Sequence, residues 1–262
     1  MDEKQQNNLA KLLAEDEIRG FHEFRRLFFD ALEHRRLNEC AVLLNVLNSN
    51  PSTHLHREVQ YHRSILQFER RQFDQAEASL RSLLDDELSP DQRARTLLEL
   101  GLQLLELGQW TEAEALYHAA LKQYQSNENV VGQAKTYNNL GICICFQVEQ
   151  GVCTPDRLQE SLSCHETALE LLQEMNEPWE VARNWHGIGR AYGLMGQYAL
   201  AQNAFQTDLA LSQAQNDRYA QSISLSDLAV LVYEPQKQLD EAADALEQAI
   251  DILRDFDGVV QN

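Results

Sequence analysis

A pair of neighbouring residues, the first apolar and the second small, returns along this chain in phase: Leu100-Gly101, Leu140-Gly141, Ile188-Gly189 and Leu228-Ala229. The small members stand 40, 48 and 40 positions apart. Seven residues before each comes another small residue, Ala94, Ala134, Ala182 and Ser222, and three residues after each comes Leu104, Ile144, Tyr192 and Val232. Steps of three and seven share one face of an α-helix. Each copy therefore opens with a helix that has a small patch on its apolar side. A chain made of such copies folds by stacking them, because one copy cannot bury its own apolar face.

The second half of each copy is helical too. Ala113, Ala201 and Ala242 are each followed four residues later by a large residue, Tyr117, Phe205 and Leu246. The unit is thus a helical hairpin: Gly101, Gly141, Gly189 and Ala229 let the second helix approach the first, and the alanines answer from the other side. Large residues such as Tyr192 and Phe205 fill the space between copies. Breakers are few, 11 Gly and 5 Pro in 262 residues, and no run of alternating β-branched residues interrupts the pattern. Ser89-Pro90-Asp91-Gln92 reads as a helix start, with Ser as N-cap, Pro at the first helical position and Gln three past the cap. Thr154-Pro155-Asp156 has the same form, and Pro51, Pro178 and Pro235 fall at breaks.

The best copy, Trp185-x2-Ile188-Gly189-x2-Tyr192 followed by Ala201 and Phe205, closely resembles the tetratricopeptide pattern W-x2-L-G-x2-Y…A-x3-F, with Ile for Leu. The period here is about 40 rather than 34, which is expected to lengthen the second helix and the turn after it. Longer units of this kind resemble those of bacterial signalling regulators and of polarity and kinesin light-chain adaptors. The resemblance implies an all-α fold, an α-solenoid of antiparallel helical hairpins. Residues 1–56 are expected to form N-terminal helices, with Leu27 to Leu47 as a degenerate first repeat. Residues 57–256 form the repeat array, and 257–262 a C-terminal tail. Gly101 to Ala120 is 19 residues but Gly141 to Ala168 is 27, so an insertion falls near 148–155. It reads either as a longer loop or as a partner contact.

In proteins of this family the first helix of each hairpin lines a concave groove. Carried over by position, that implies a groove built from Arg95, Leu98, Leu102 and Leu105, then Lys135, Asn138, Asn139, Ile142 and Phe146. Arg183, His186 and Arg190 come next, then Ser226, Asp227 and Val230. Some members clamp a peptide's C-terminal carboxylate with Lys, Asn and Arg. Asn139 and Arg183 match that clamp, whereas Leu98, Leu102 and Gly187 replace its other members. The groove is expected to take a protein or peptide, with an apolar floor and a central Asn/Arg/His patch. The resemblance implies a non-catalytic scaffold or adaptor. The alternative is a regulatory or sensor region of a larger signalling protein that carries a protease, NTPase or transcription-regulator domain.

Other chemistries fit poorly. The net charge is −19, with 9 Lys+Arg against 24 Asp+Glu in residues 94–262, so a nucleic-acid partner is not expected. The charge reads as a solvated surface or as long-range attraction for a basic partner. Gly187 to Gly193 is out of register for a dinucleotide loop and follows no strand. Cys143 and Cys145, two apart on a helix, point about 200° away from each other, so Cys143, Cys145, Cys153 and Cys164 read as free thiols and no metal or cofactor is expected. His54, His56 and His62 read as surface residues. The polar start and odd cysteine count suggest a reducing, cytoplasmic setting without a membrane span.

On the last helix, Ala242, Leu246, Ala249 and Leu253 are expected to face the preceding hairpin, with Ala245 and Ile250 flanking them. A second copy of the chain or a further domain is expected to cover that edge, the short tail with Phe256, Val259 and Val260 being a third arrangement. The four-fold phase predicts a far-ultraviolet circular dichroism spectrum of helix alone. Substantial strand content would contradict it.

Overall fold

Helix starts and stops follow from residues that can cap them. The computed structural model describes residues 1–50 and 52–260, and nothing of the side chains of Glu33, Thr53 and 255–260. Among the described residues there are thirteen α-helices and no strands. At Ser89 the hydroxyl accepts from the Gln92 backbone, while the Gln92 side chain accepts from the Ser89 backbone, both at 3.2 Å. This closes a reciprocal cap ahead of the helix Pro90–Glu106. Thr154 behaves differently: Pro155–Arg157 is a single 3-10 turn with no side-chain cap. Pro51 lies outside the described residues.

The chain divides into two compact units, Met1–Leu88 and Ser89–Asn262. The first holds α1 (Glu3–Glu15), α2 (Glu17–Glu33), α3 (Leu37–Asn48), α4 (Thr53–Glu69) and α5 (Phe73–Asp85). Here α2 packs on α3 and α4 on α5. Its core contains a histidine that was expected on the surface. His62 is fully buried, with the rings of Phe24 and Phe28 edge-on at 5.1 Å. Its Nδ1 lies 2.8 Å from the Glu58 carbonyl. The aromatic residues of α2, one turn apart, make that pocket.

The second unit holds α6 (Pro90–Glu106), α7 (Trp110–Ser126), α8 (Val130–Glu149), α9 (Leu158–Leu172), α10 (Pro178–Leu194), α11 (Tyr198–Ala214), α12 (Arg218–Leu228) and α13 (Leu239–Val260). They pair as α6/α7, α8/α9, α10/α11 and α12/α13, and each pair packs on the next. Both helices of α6/α7 and α10/α11 run 17 residues. None of the helices searched is long and apolar enough to cross a membrane.

Within the hairpins a large residue sits over a small one. A Cβ on Gly101 would come 2.5 Å from Tyr117, and one on Gly189 would come 2.8 Å from Phe205. In the second hairpin His165 takes the place of the aromatic residue and lies against both Gly141 and Gly187. Gly187 to Gly193 lie in the C-terminal half of α10, where glycines admit His165, Phe205 and Leu231. Fully burying a ring such as Phe205 contributes about 1.5–3 kcal/mol.

The hairpin turns share one geometry. Arg71, Gly108, Gly196 and Lys237 have positive φ, and each is followed by a backbone N–H that reaches five residues back, such as Gln109 to Leu104 and Gln197 to Tyr192. This closes the helix carbonyls in a Schellman arrangement. Gly101 and Gly189 precede their turns by seven positions, whereas Ala229 precedes Lys237 by eight. The extra residue is absorbed by a π-helical segment, Ala229–Tyr233, at the end of α12.

The insertion extends α8 to 20 residues and adds the 3-10 turn. Arg157 pins it: its guanidinium donates to Glu114 of α7 at 2.7 Å, to Gln147 at 3.1 Å and to Glu160 at 2.9 Å. Cys143 and Cys145 are buried, the first with its thiol 3.3 Å from the Trp110 carbonyl, the second 3.3 Å from Ser161 Oγ. On α13 the buried stripe is Ala242, Ala245 and Ala249, with Leu246 and Ile252 packed beside it, while Ile250 and Leu253 are exposed. The expected stripe is thus rotated: Ala245 belongs to it and Leu253 does not. α13 continues through Val260, and the side chains of Phe256, Val259 and Val260 lie outside the described residues.

Substituting Gly141→Ala pushes a methyl group into buried His165 and is expected to destabilise the chain by about 1–3 kcal/mol. In a His165→Ala background the same substitution costs less. Urea denaturation of the four species measures the coupling.

Candidate functional site

The first helices of successive hairpins touch one another, α6 with α8 and α8 with α10. They form the layer on which the expected groove residues lie. On α6, Leu98 is buried and Arg95, Leu102 and Leu105 are half-buried. On α8, Asn138 and Asn139 are buried, so they lie under the surface, while Ile142 and Phe146 are half-buried. Lys135 Nζ is 3.4 Å from Glu180 of α10. On α12, Ser226 donates to its own helix at Ser222, 2.8 Å away, and Val230 is exposed on the π-helical segment.

The three expected residues of α10 have separate fates. Arg183 is exposed. Arg190 is buried, donating to Asp227 of α12 at 2.6 Å and to Glu149 of α8 at 2.9 Å, with its guanidinium 4.8 Å from the centre of the Phe146 ring. His186 lies between two carboxylates, Nδ1 at 3.3 Å from Asp208 of α11 and Nε2 at 3.2 Å from Asp227. Burial alone would lower the proton affinity of His186, but the bonds to Asp208 and Asp227 outweigh it and raise the pKa above the ordinary value. The same balance, burial opposed by His186 and Arg190, lowers Asp227. Thus the Asn/Arg/His patch expected to face a ligand is largely consumed inside the fold. Arg190 could not show this in the sequence, because Asp227 and Glu149 lie one repeat away on either side.

Ile142, Arg183 and His186 do meet at a cavity of about 450 Å3. α10 contributes Trp179 and Ala182 as well, α12 contributes Tyr219 and Ile223, and α11 adds Asp208 and Ser212, with Gln215 just past its end. Trp179 and Tyr219 are 47% and 63% exposed, large rings left at the rim of a concave site. Sequence reasoning missed them because they lie at helix starts, away from the repeat's signature positions. A signal was present, since they stand 40 residues apart and so occupy the same place in successive repeats. Asp208 was missed because it comes from a second helix.

The family model described as Tetratricopeptide repeat matches residues 92–150 and 180–255, just over half of the chain. Among solved structures the chain is similar to BtubC (BKLC) from P. vanneervenii, with 21% identity and a TM-score of 0.57 over 95% of this chain and 92% of that one. A Rap protein complexed with Competence and Sporulation Factor is 17% identical with a TM-score of 0.71, over 97% and 76%. A STAND signal-transduction ATPase with a tetratricopeptide-repeat sensor from Pyrococcus horikoshii is 17% identical with a TM-score of 0.63, over 97% of this chain and 35% of that one. At such identities the likeness is one of fold. No curated protein matches the chain in sequence.

The different fates of the two arginines predict different outcomes. Arg190→Glu places a third carboxylate beside Asp227 and Glu149 and is expected to cost on the order of 3 kcal/mol. Arg183→Glu, at an exposed position, is expected to change stability by less than about 0.5 kcal/mol. Chemical denaturation of the two variants separates them.

Proposed function

For a chain that belongs to the tetratricopeptide-repeat family, we propose a scaffold function in which the cavity between α10 and α12 holds a peptide segment of a partner protein, without catalysis. The observation that carries this reading is the cavity, with exposed Trp179 and Tyr219 on its rim and Arg183 beside them. Arg183 makes no hydrogen bond or ion pair among the described residues. An apolar side chain of the partner enters between the rings, where burial of an aromatic anchor supplies most of the binding energy. A carboxylate next to it faces Arg183. The rest of the chain's acidity is spread over its surface and favours a partner whose remaining residues are basic.

A second reading, a sensor region of a larger signalling protein, draws support from the STAND neighbour, of which the chain spans about a third. A full-length transcript that encodes a linked ATPase, protease or transcription-regulator domain supports it. One that encodes only these 262 residues removes it.

Selection of displayed random peptides on the purified chain tests the first reading. Enriched peptides are expected to carry an apolar residue next to Asp, Glu or a free C-terminus. Their affinity is expected to fall at least about tenfold for Trp179→Ala combined with Tyr219→Ala. Peptides that bind the double variant equally well, or no enrichment at all, would overturn the assignment.

A further inference from the structure

His186 is placed where a neutral ring does not suffice. A neutral imidazole has one N–H and one lone pair. Here each ring nitrogen faces a carboxylate oxygen, Asp208 Oδ2 at 3.3 Å and Asp227 Oδ2 at 3.2 Å. One of those carboxylates would meet a lone pair if the ring were neutral. Ser224 Oγ also lies 3.3 Å from Nδ1, but it has a single proton, and both Asp208 and the Ala220 carbonyl stand as acceptors for it. A doubly protonated ring donates to both carboxylates. Asp227 in turn accepts from Arg190, which reaches Glu149. The result is a chain of alternating charges, Asp208, His186, Asp227, Arg190 and Glu149, running through α11, α10, α12 and α8.

We propose that the imidazolium of His186 is a pH-sensitive cross-link that holds the hairpin α12/α13 to the hairpin α10/α11, so that loss of its proton loosens the wall of the cavity and weakens ligand binding. The gating of the ligand rests on the peptide-binding reading above; the cross-link itself does not. The groups that face His186 come from every neighbouring element. They are Asp208 of α11, Asp227 of α12, Arg190 on its own helix with Glu149 of α8 behind it, Arg183 one turn earlier on that helix and lining the same cavity, and His165 of α9. His165 stays neutral near neutrality, because burial lowers it to about 4. Tyr233, the one titratable residue of the π-helical segment, accepts from Gln202 instead. His186 forms part of the cavity lining, next to Ile223 and Ser224 of the helix it would release.

The sign follows from linkage. A histidine whose folded pKa is raised stabilises the fold fully below its unfolded value of about 6.5, and that contribution is lost as pH rises through the folded value. Asp227, lowered in the fold, sets the acid limit: its share is present above about 3.9 and fades as pH falls through its folded value.

Nitrogen-15 NMR of the ring in the wild-type chain is the first test. His186 is expected to be doubly protonated at pH 6.5 and to titrate above the ordinary histidine value, and in Asp227→Asn its titration is expected to fall back toward that value. A singly protonated ring at pH 6.5, or a titration unmoved by Asp227→Asn, overturns the cross-link. The stability difference between wild type and His186→Gln is expected to be largest near pH 6 and to shrink as pH rises; a flat difference also overturns it. For the gate, the probe is a peptide selected on the wild-type chain. Its affinity is expected to fall with rising pH in wild type and to stay level in His186→Gln. A level affinity in wild type with the NMR result intact overturns the gate alone, and failure to select any peptide overturns the peptide reading while leaving the cross-link to stand on NMR.

Discussion

Closest approach between two helices is limited by what stands on their facing sides, and this fold depends on that limit being met in each hairpin of the second unit. Gly101 under Tyr117 and Gly189 under Phe205 put a large ring where a neighbouring Cβ would otherwise be. The ring then belongs to both helices at once and makes the hairpin a single packed object. The stack follows, because an isolated hairpin still has an apolar side and the next copy covers it. At Ala229 the small residue is kept and the facing residues are alanines, Ala242, Ala245 and Ala249. The last pair is therefore closed by small-on-small contact, and one extra residue between Ala229 and the turn is taken up as a π-helical segment.

The second hairpin shows how far the scheme bends. It carries an insertion and replaces the aromatic residue with His165, whose Nδ1 lies 3.1 Å from Asn184 Oδ1. Nδ1 thus has the partner a buried polar group needs, while Nε2 has none among the described residues. The two glycines flanking His165, Gly141 and Gly187, come from successive first helices, so one side chain fixes the spacing of two repeats. The family match skips residues 151–179, the stretch that holds the inserted turn and α9. Departure from the pattern and change of packing partner coincide there.

Charge is handled in the same inter-repeat manner. The chain is strongly acidic, yet its first helices carry cations at one repeated position: Arg95, Lys135 and Arg183 each stand six residues before the small residue of their copy. Lys135 is paired to Glu180 of the next repeat. The place that corresponds to Glu180 is held in the following repeat by Ala220, which offers Arg183 no carboxylate, and Arg183 lines the cavity. The cavity thus grows out of the solenoid's own regularity: it forms where the column of cations ends and the column of exposed rings, Trp179 and Tyr219, begins.

Periodicity alone determined the class of fold, the hairpin pairs of the second unit, the small-over-large contacts and the capped start at Ser89, because all of these depend on residues a fixed number of positions apart within one helix or one repeat. Ile142, Arg183 and His186, read from it as groove residues, line one cavity. Periodicity failed where the deciding partner lies on another element. His62 became a core residue because aromatic side chains of α2 surround it. Asn138 and Asn139 went under the surface, and Arg190 was drawn in by Asp227 and Glu149 from neighbouring repeats. On α13, Ala245 rather than Leu253 turned inward, because the rotation of a helix about its axis is set by the surface it packs against. Helical spacing determines which residues share a face, and only tertiary packing decides which face is covered and which charges are already spent.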